Sequence, residues 1–330
     1  MPSFMPNHLI KELRKRRQWT RYAIQNNMAT EGLEDDKIIS QLTIMRAENG
    51  QQNLRSSNFH TLMDAMEMPV DAFFCPCMEN LNAEHLQQLD ALRQYTMYAK
   101  ENPTFYKNGL KLLNQMNANP NFAKGINKQL LISQEVVLRE AKGHNPIKIR
   151  ELAYKGLEIT YPEIKNKAYD GDMLIFDEAP LLHCIARTYL QEGDINQAIN
   201  LLRGILTGIT LLPQDDKEKL RMLAPILLTL AQCHIGQGNY SQALETCEAG
   251  HEITIKRNSG QYAPDFIELK VLCKIKLGQK HEIERLILQA LAGYMLLRRY
   301  TKADKLMQLA STHQISINTH GMETIRPQIS

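Results

Sequence analysis

One seven-residue pattern, which occurs three times in the second half of the chain, limits its fold more than any other feature. Residues 192–198 read EGDINQA, residues 237–243 read QGNYSQA, and residues 277–283 form a weaker copy, LGQKHEI. The glycines are 45 and 40 residues apart. Glycine adopts positive φ without strain, and the alanine five residues later in the two clear copies lets two helices pack closely. The pattern therefore predicts helical hairpins, and these must stack because one hairpin cannot bury both of its faces.

This repeat resembles the tetratricopeptide repeat, whose unit is shorter; longer helices and an insertion at residues 212–219 account for the difference. The resemblance implies a right-handed superhelix. The composition also favours an all-α fold, because 17 glycines and 13 prolines in 330 residues are too few for a loop-rich β protein. We expect residues 300–303 to be a last degenerate copy or a capping helix.

The chain before the repeats also has the pattern of helices. From residue 82 onward, amphipathic segments are separated by glycine or by Asn-Pro pairs such as Asn102-Pro103. The first 74 residues contain shorter segments, one of which has an apolar stripe that includes Leu42 and Ile44. Cys75-Pro76-Cys77 interrupts the pattern. We therefore predict an N-terminal domain, residues 1–74, and a repeat domain, residues 75–330.

The N-terminal end carries a concentrated positive charge. Six lysines and arginines but only one acidic residue, Glu12, lie between Met1 and Tyr22, so this segment is more basic than the whole chain, whose net charge is +3. A basic patch is typical of phosphate binding, but a solvated helix face has the same composition. Both interpretations stay open on charge alone.

The sequence offers no pattern typical of an enzyme or a metal site. A single Glu-x-x-His, from Glu248 to His251, spans Gly250 and has no second copy, and no glycine-rich phosphate loop occurs. The six cysteines lack paired zinc-ligand spacing. Four of them lie among apolar residues, which predicts that they are small core residues: Cys184, Cys233, Cys247 and Cys273. We predict no catalytic residues, no cofactor and no metal.

Hydropathy indicates where the protein resides. The N-terminus is charged early and lacks the apolar region of a signal peptide, and no run approaches 18 apolar residues. We therefore expect a cytoplasmic protein without a membrane span.

The first 74 residues resemble the Xre/Cro-type helix-turn-helix domain. The resemblance rests on residues 9–17 for the first helix, 18–20 for the turn that follows, 40–50 for the recognition helix with its Glu-Asn-Gly stop, and 59–74 for the closing helices. In that family the recognition helix lies in the major groove and neighbouring helix ends contact phosphate. The resemblance implies that four residues face double-stranded DNA, namely Ser40, Gln41, Thr43 and Arg46. It implies that three lie near the DNA backbone, namely Arg14, Arg17 and Arg55.

Three features depart from the pattern of that family. Arg21 stands where a glutamine that often binds phosphate is usual, the interval from Thr20 to Glu48 is longer, and Gln51 and Gln52 replace basic residues. A helix-turn-helix retained for dimerisation or docking is therefore an alternative to one that binds DNA.

A head of this type followed by such repeats resembles the peptide-responsive quorum-sensing regulators of the Rgg, PlcR and PrgX class. Residues 157–162 and 176–182 are also similar to that class. The resemblance implies a transcription regulator that forms a homodimer and binds a short signalling peptide in the concave groove of its repeats. The alternative is a repeat-based, protein-binding adaptor whose head does not bind DNA.

Helix phase selects the side chains that would line this groove. Counted from the small residue at each helix crossing, nine positions face it: His183, Arg187, Gln191, Leu228, Gln232, Ile235, Glu268, Leu272 and Ile275. We expect Arg187 to hold a carboxylate of the peptide, because a guanidinium binds that group in bidentate fashion.

Overall fold

A computed structural model describes residues 10–12, 14–15, 19–30, 38–52, 54, 56–66, 83–100, 102–123, 125–165, 169–172, 174, 177–211, 216–256, 260–279 and 281–317. Over these residues the chain forms fourteen α-helices, one short 3-10 helix (Pro120–Phe122) and no β-strand. The all-α prediction is confirmed. None of these helices is both long and apolar enough to cross a membrane.

The helices follow one another with short connections. Ahead of them, residues 10–12 and 14–15 are also helical. The bounds are α1 (Arg21–Thr30), α2 (Gln41–Glu48), α3 (Ser56–Ala65), α4 (Ala83–Tyr98), α5 (Pro103–Asn117), α6 (Gly125–Ala141), α7 (Pro146–Leu157), α8 (Glu178–Glu192), α9 (Ile195–Thr210), α10 (Asp216–Gly236), α11 (Tyr240–Lys256), α12 (Ala263–Lys276), α13 (Ile283–Leu296) and α14 (Tyr300–Thr312).

The chain divides into two compact units. Unit 1 comprises Met1–Thr188 and Leu211–Pro213, and unit 2 comprises Tyr189–Thr210 and Gln214–Ser330. The predicted boundary between residues 74 and 75 lies outside the described residues, as do Cys75 and Cys77. The division into residues 1–74 and 75–330 therefore stays a prediction.

In unit 1, asparagine followed by proline begins successive helical elements. The side-chain oxygen of Asn102 accepts a hydrogen bond from the backbone N–H of Thr104 at 2.9 Å, and Asn145 does the same for Ile147 at 2.8 Å. Asn119 caps the 3-10 helix in this way. Proline fits directly after the cap because the N–H that it lacks has no partner within the helix at that position. The helix boundaries predicted at Asn-Pro pairs are thus confirmed.

In unit 2, the turns of the three sequence repeats share one geometry. Gly193, Gly238 and Gly278 have φ values of +84°, +75° and +71°. Each glycine N–H bonds to the carbonyl three residues earlier, and the next N–H bonds to the carbonyl five residues earlier. This is the Schellman arrangement, which satisfies the last carbonyls of a helix and favours glycine at the left-handed position. Ala198 and Ala243, five residues after their glycines, are fully buried, as the repeat pattern predicts.

The degenerate copy at residues 300–303 follows a turn of the same kind, but without glycine. Arg298 takes the left-handed position with φ of +56°, its N–H bonds to Met295 O, and the next N–H bonds to Tyr294 O. Ala303, five residues after Arg298, is buried. A side chain in this conformation costs on the order of 1 kcal/mol. Helix α14 therefore begins after a last, strained copy of the repeat turn.

The cysteines Cys184, Cys233, Cys247 and Cys273 are free and fully buried, so the prediction that they are core residues is confirmed. Burial raises the pKa of Cys184 to about 12 and the pKa values of Cys233 and Cys273 to about 11. It also raises the pKa of Cys247. These four groups therefore remain protonated thiols at neutral pH.

Candidate functional site

The described part of the N-terminal region between residues 10 and 66, here called the head, has a small apolar core. Helix α1 packs against α2 and α3, and Ile24, Ile44 and Leu62 are fully buried. The side-chain amide of Asn27 donates a hydrogen bond to Ala65 O at 2.9 Å, which joins α1 to the end of α3. This packing leaves the opposite face of α2 exposed.

Helix α2, the predicted recognition helix, begins with a capping serine. The Ser40 hydroxyl accepts a hydrogen bond from the backbone N–H of Thr43 at 3.2 Å and lies 3.0 Å from the Thr43 hydroxyl. Gln41 and Arg46 are exposed. Of the four residues predicted to face DNA, two thus fix the first turn of α2 and two project into solvent. Their role in DNA binding stays a prediction.

Two arginines of the head bind one buried carboxylate at the end of α2. Arg14 Nε lies 2.5 Å from Glu48 Oε1, and Arg21 Nη2 lies 2.6 Å from Glu48 Oε2, while the Glu48 side chain is 0% exposed. Arg14 also donates to Trp19 O at 2.8 Å. The structure thus gives Arg14 a role inside the head and offers no support for its predicted contact with phosphate.

The departure from the family pattern at Arg21 has a structural explanation in this triad. Arg21 opens α1, and both its Nε and Nη2 donate to Glu48 Oε2. The sequence shows the arginine but not its partner, because 27 residues separate the two. Arg17 and Arg55, also predicted near the DNA backbone, lie outside the described residues.

The exposure of Leu42 was not predicted from the sequence. The apolar pattern assigned it to the buried stripe of its helix together with Ile44. Ile44 is fully buried, but Leu42 keeps 50% of its surface exposed. The exposed face of α2 therefore carries a leucine as well as Gln41 and Arg46.

Two predicted groove residues belong to unit 1, on α8. His183 is buried, so little of its side chain is accessible to a ligand. Arg187, predicted to hold a peptide carboxylate, forms an ion pair with Glu140 of α6, and its side chain is 30% exposed. The guanidinium thus already binds a carboxylate of the protein itself, which sequence could not reveal across 47 residues.

The other predicted groove residues belong to unit 2. Gln191 and Gln232 are exposed, and Ile235, Leu272 and Ile275 are partly buried. Leu228 packs against the apolar cluster that α10, α11 and α12 form around Phe266. Of the predicted groove residues in unit 2, two therefore present amide groups to solvent and others present partly accessible apolar side chains.

Glu268 is part of a polar cluster that joins α12 to the two elements that follow it. Its carboxylate accepts a hydrogen bond from the Tyr294 hydroxyl and lies 3.2 Å from Lys302 Nζ. Asp265, one turn earlier, lies 2.7 Å from Arg299 Nη1. Glu268 thus stabilises the packing of α12, α13 and α14, a role that helix phase alone did not predict.

This cluster changes the proton affinity of its members. Burial raises the pKa of Tyr294, and the carboxylates of Asp265 and Glu268 raise it further. For Lys302, burial alone would lower the pKa, but the same two carboxylates outweigh it and raise the pKa. Tyr294 therefore remains a neutral donor and Lys302 a cation at physiological pH.

Comparison with solved structures relates this arrangement to known proteins. PlcR from Bacillus thuringiensis, solved in complex with the peptide PapR7 and DNA, aligns over 91% of this chain and 98% of its own, with a TM-score of 0.55 and 17% identity. The chain shares its fold with PlcR. The competence regulator ComR from Streptococcus vestibularis, in its apo form, aligns over 94% of this chain and 99% of its own, with a TM-score of 0.53 and 11% identity. ComR from S. thermophilus, solved with DNA and its signalling peptide ComS, aligns over 93% and 99%, with a TM-score of 0.52 and 13% identity.

The likeness to PlcR and ComR confirms the fold predicted from the sequence, a helix-turn-helix head followed by tetratricopeptide-like repeats. It extends over nearly the whole chain. At this level of identity it shows the fold only. No protein-family model matches the sequence, and no curated protein matches it significantly.

Proposed function

We propose that the protein is a cytoplasmic, homodimeric transcription regulator that binds double-stranded DNA through its head and is controlled by a short peptide bound to its repeats. The observation that carries this proposal is the fold shared with PlcR and ComR from the head through the repeats, because both were solved with DNA and a peptide. Residues in which this chain differs from PlcR and ComR must determine which DNA and which peptide it binds.

The exposed face of α2 supports the DNA-binding part of the proposal. Ser40 and Thr43 hold the first turn of the helix, and Gln41 and Arg46 project from it. Glutamine and arginine are side chains that recognise adenine and guanine, respectively, in the major groove. Arg14 and Arg21 are engaged by Glu48. Arg46 therefore supplies the positive charge that α2 itself offers to DNA.

The test of DNA binding is fluorescence anisotropy of the full-length protein on labelled duplex from its own upstream region. We expect saturable binding that survives excess unlabelled random DNA and weakens as the salt concentration rises, because phosphate contacts release counterions. Arg46→Ala should lower the affinity at least tenfold. Arg93→Ala, which removes a partly exposed arginine of α4, is the matched control and should leave the affinity unchanged.

The peptide-binding part of the proposal rests on unit 2. Gln191 and Gln232 offer exposed amides that can pair with a peptide backbone, and the partly accessible Ile235 and Leu272 can contact its apolar side chains. Glu268 and Arg187 bind other residues of the protein, so we assign neither of them a primary role in peptide recognition.

The test of peptide binding uses synthetic peptides encoded by small open reading frames beside the gene. Titration calorimetry should detect the binding of one of these peptides to the protein, and Gln232→Ala should weaken that binding. Gln242→Ala, an exposed glutamine on the second helix of the same hairpin, should not. If neither duplex nor peptide binds but a cellular protein binds in a Gln232-dependent manner, the adaptor function replaces this proposal.

A further inference from the structure

The centre of the exposed face of α2 carries an apolar residue as well as a charged one. Ile44, Ala47 and Glu48 are buried and define the inner side of the helix. With 3.6 residues per turn, the side directly opposite carries Leu42 and, one turn later, Arg46. Gln41 lies toward one edge of this face.

Packing within the head does not explain the leucine at this position. Half of the Leu42 surface is exposed, whereas Ile24, Ile44 and Leu62 are fully buried. The residue before the helix, Ser40, bonds to Thr43, so the first turn is held without any contribution from the leucine side chain. Leu42 is therefore available as an apolar contact surface on a capped, rigid turn.

The charge on the face that Leu42 occupies favours a polyanion as the partner. Arg46, one turn further along the same face, is exposed. In B-DNA the major groove presents one apolar group, the 5-methyl group of thymine, and apolar side chains recognise it by contact. A leucine beside an arginine therefore fits a thymine next to acceptor groups of a neighbouring base or phosphate.

We infer that Leu42 is a specificity-determining residue that packs on the 5-methyl group of a thymine in the DNA site. This inference rests on the proposed function, because it requires that α2 enter the major groove. It specifies one base of the recognition sequence, a thymine at the position that faces Leu42.

The experiment begins with a duplex enriched by the full-length protein from a random pool. Each thymine of this duplex is then replaced singly by deoxyuridine, which removes only the 5-methyl group. Because a homodimer contacts two half-sites, replacement of one thymine in either half-site should weaken binding about fourfold, the effect of losing contact with one methyl group worth about 0.8 kcal/mol. All other replacements should change the affinity by less than about 1.5-fold.

Variants then link that methyl group to the residue. With Leu42→Ala, the thymine and deoxyuridine duplexes should bind equally well. Leu86→Ala, which truncates a leucine of nearly equal exposure (52%) on α4, should keep the fourfold difference. Equal binding of all deoxyuridine duplexes by the wild-type protein overturns the inference while the proposed function stands. Failure to enrich any duplex overturns both.

Discussion

The Arg14–Glu48–Arg21 triad allows a quantitative prediction about the stability of the head. Glu48 is wholly buried, while Arg14 and Arg21 are 14% and 32% exposed. Removal of one partner from a buried ion pair costs about 3–5 kcal/mol when a charge is left uncompensated. Loss of Glu48 leaves two positive charges and loss of either arginine leaves a neutral pair, while the two arginines differ in exposure. The three alanine variants should therefore differ in a defined order.

We expect Glu48→Ala to lower the free energy of unfolding by about 3 kcal/mol, because it leaves two guanidinium groups together without a carboxylate. Arg14→Ala should cost about 2 kcal/mol, because Arg21 still neutralises Glu48 but the more buried partner is lost. Arg21→Ala should cost about 1 kcal/mol, as expected for a partner closer to solvent. Because the sites are in contact, the double variant Arg14→Ala/Glu48→Ala should cost less than the sum of its parts.

Trp19 makes this measurement specific to the head. It is the single tryptophan of the chain, and its carbonyl oxygen accepts a hydrogen bond from Arg14. Urea titration of the full-length protein followed by tryptophan fluorescence therefore reports the unfolding of this region. Lys15→Ala, an exposed cation of the same segment, is the control and should lie within about 0.5 kcal/mol of the wild type. Equal losses for the three triad variants, or an unchanged free energy of unfolding for Glu48→Ala, would contradict this account of the triad.

Three further predictions concern the rest of the chain. Arg298→Gly should stabilise the protein by about 1 kcal/mol in urea titrations, and Gly238→Ala should destabilise it by a similar amount, because a Cβ there meets no atom within 4 Å and the backbone angle is the cost. In a Cys75→Ser/Cys77→Ser variant, the four buried thiols should not react with a thiol reagent at pH 8 until denaturant is added; rapid labelling of the native protein would contradict their burial. Burial and then the charge of Arg203 lower the pKa of His234 below its ordinary 6.5, so the unfolded state gains a proton first and stability should fall as the pH drops below about 6.5. His234→Gln should reduce that dependence in urea titrations at pH 7.5 and 5.5.

The sequence predicted those features that short stretches of chain determine. The turns at Gly193, Gly238 and Gly278 depend on a glycine and on hydrogen bonds within five residues, so their pattern is visible in sequence. The same is true of the Asn-Pro helix starts. The turn at Arg298 could not be predicted in this way, because it forms there without a glycine at the left-handed position.

The candidate site was harder to predict because its side chains find partners far along the chain. Helix phase placed Arg187 and Glu268 in the groove, but Glu140 and Lys302, 47 and 34 residues away, bind them. Apolar character placed Leu42 in the core, although Ile44 is fully buried and Leu42 is half exposed. A single sequence does not carry information about such distant pairs.

The order in which the helices of unit 2 pack has a consequence for how this unit folds. The main contacts join α9 to α10, α10 to α11, α11 to α12, α12 to α13 and α13 to α14, with further contacts between α10 and α12 and, through Glu268 and Lys302, between α12 and α14. Almost every contact thus closes a short loop, and chains of this kind fold rapidly because little loop entropy is lost before contacts form. Folding can begin at any hairpin and spread to its neighbours. Backbone amides of α14, at the end of this series, should therefore exchange with solvent sooner than those of α11 in its middle.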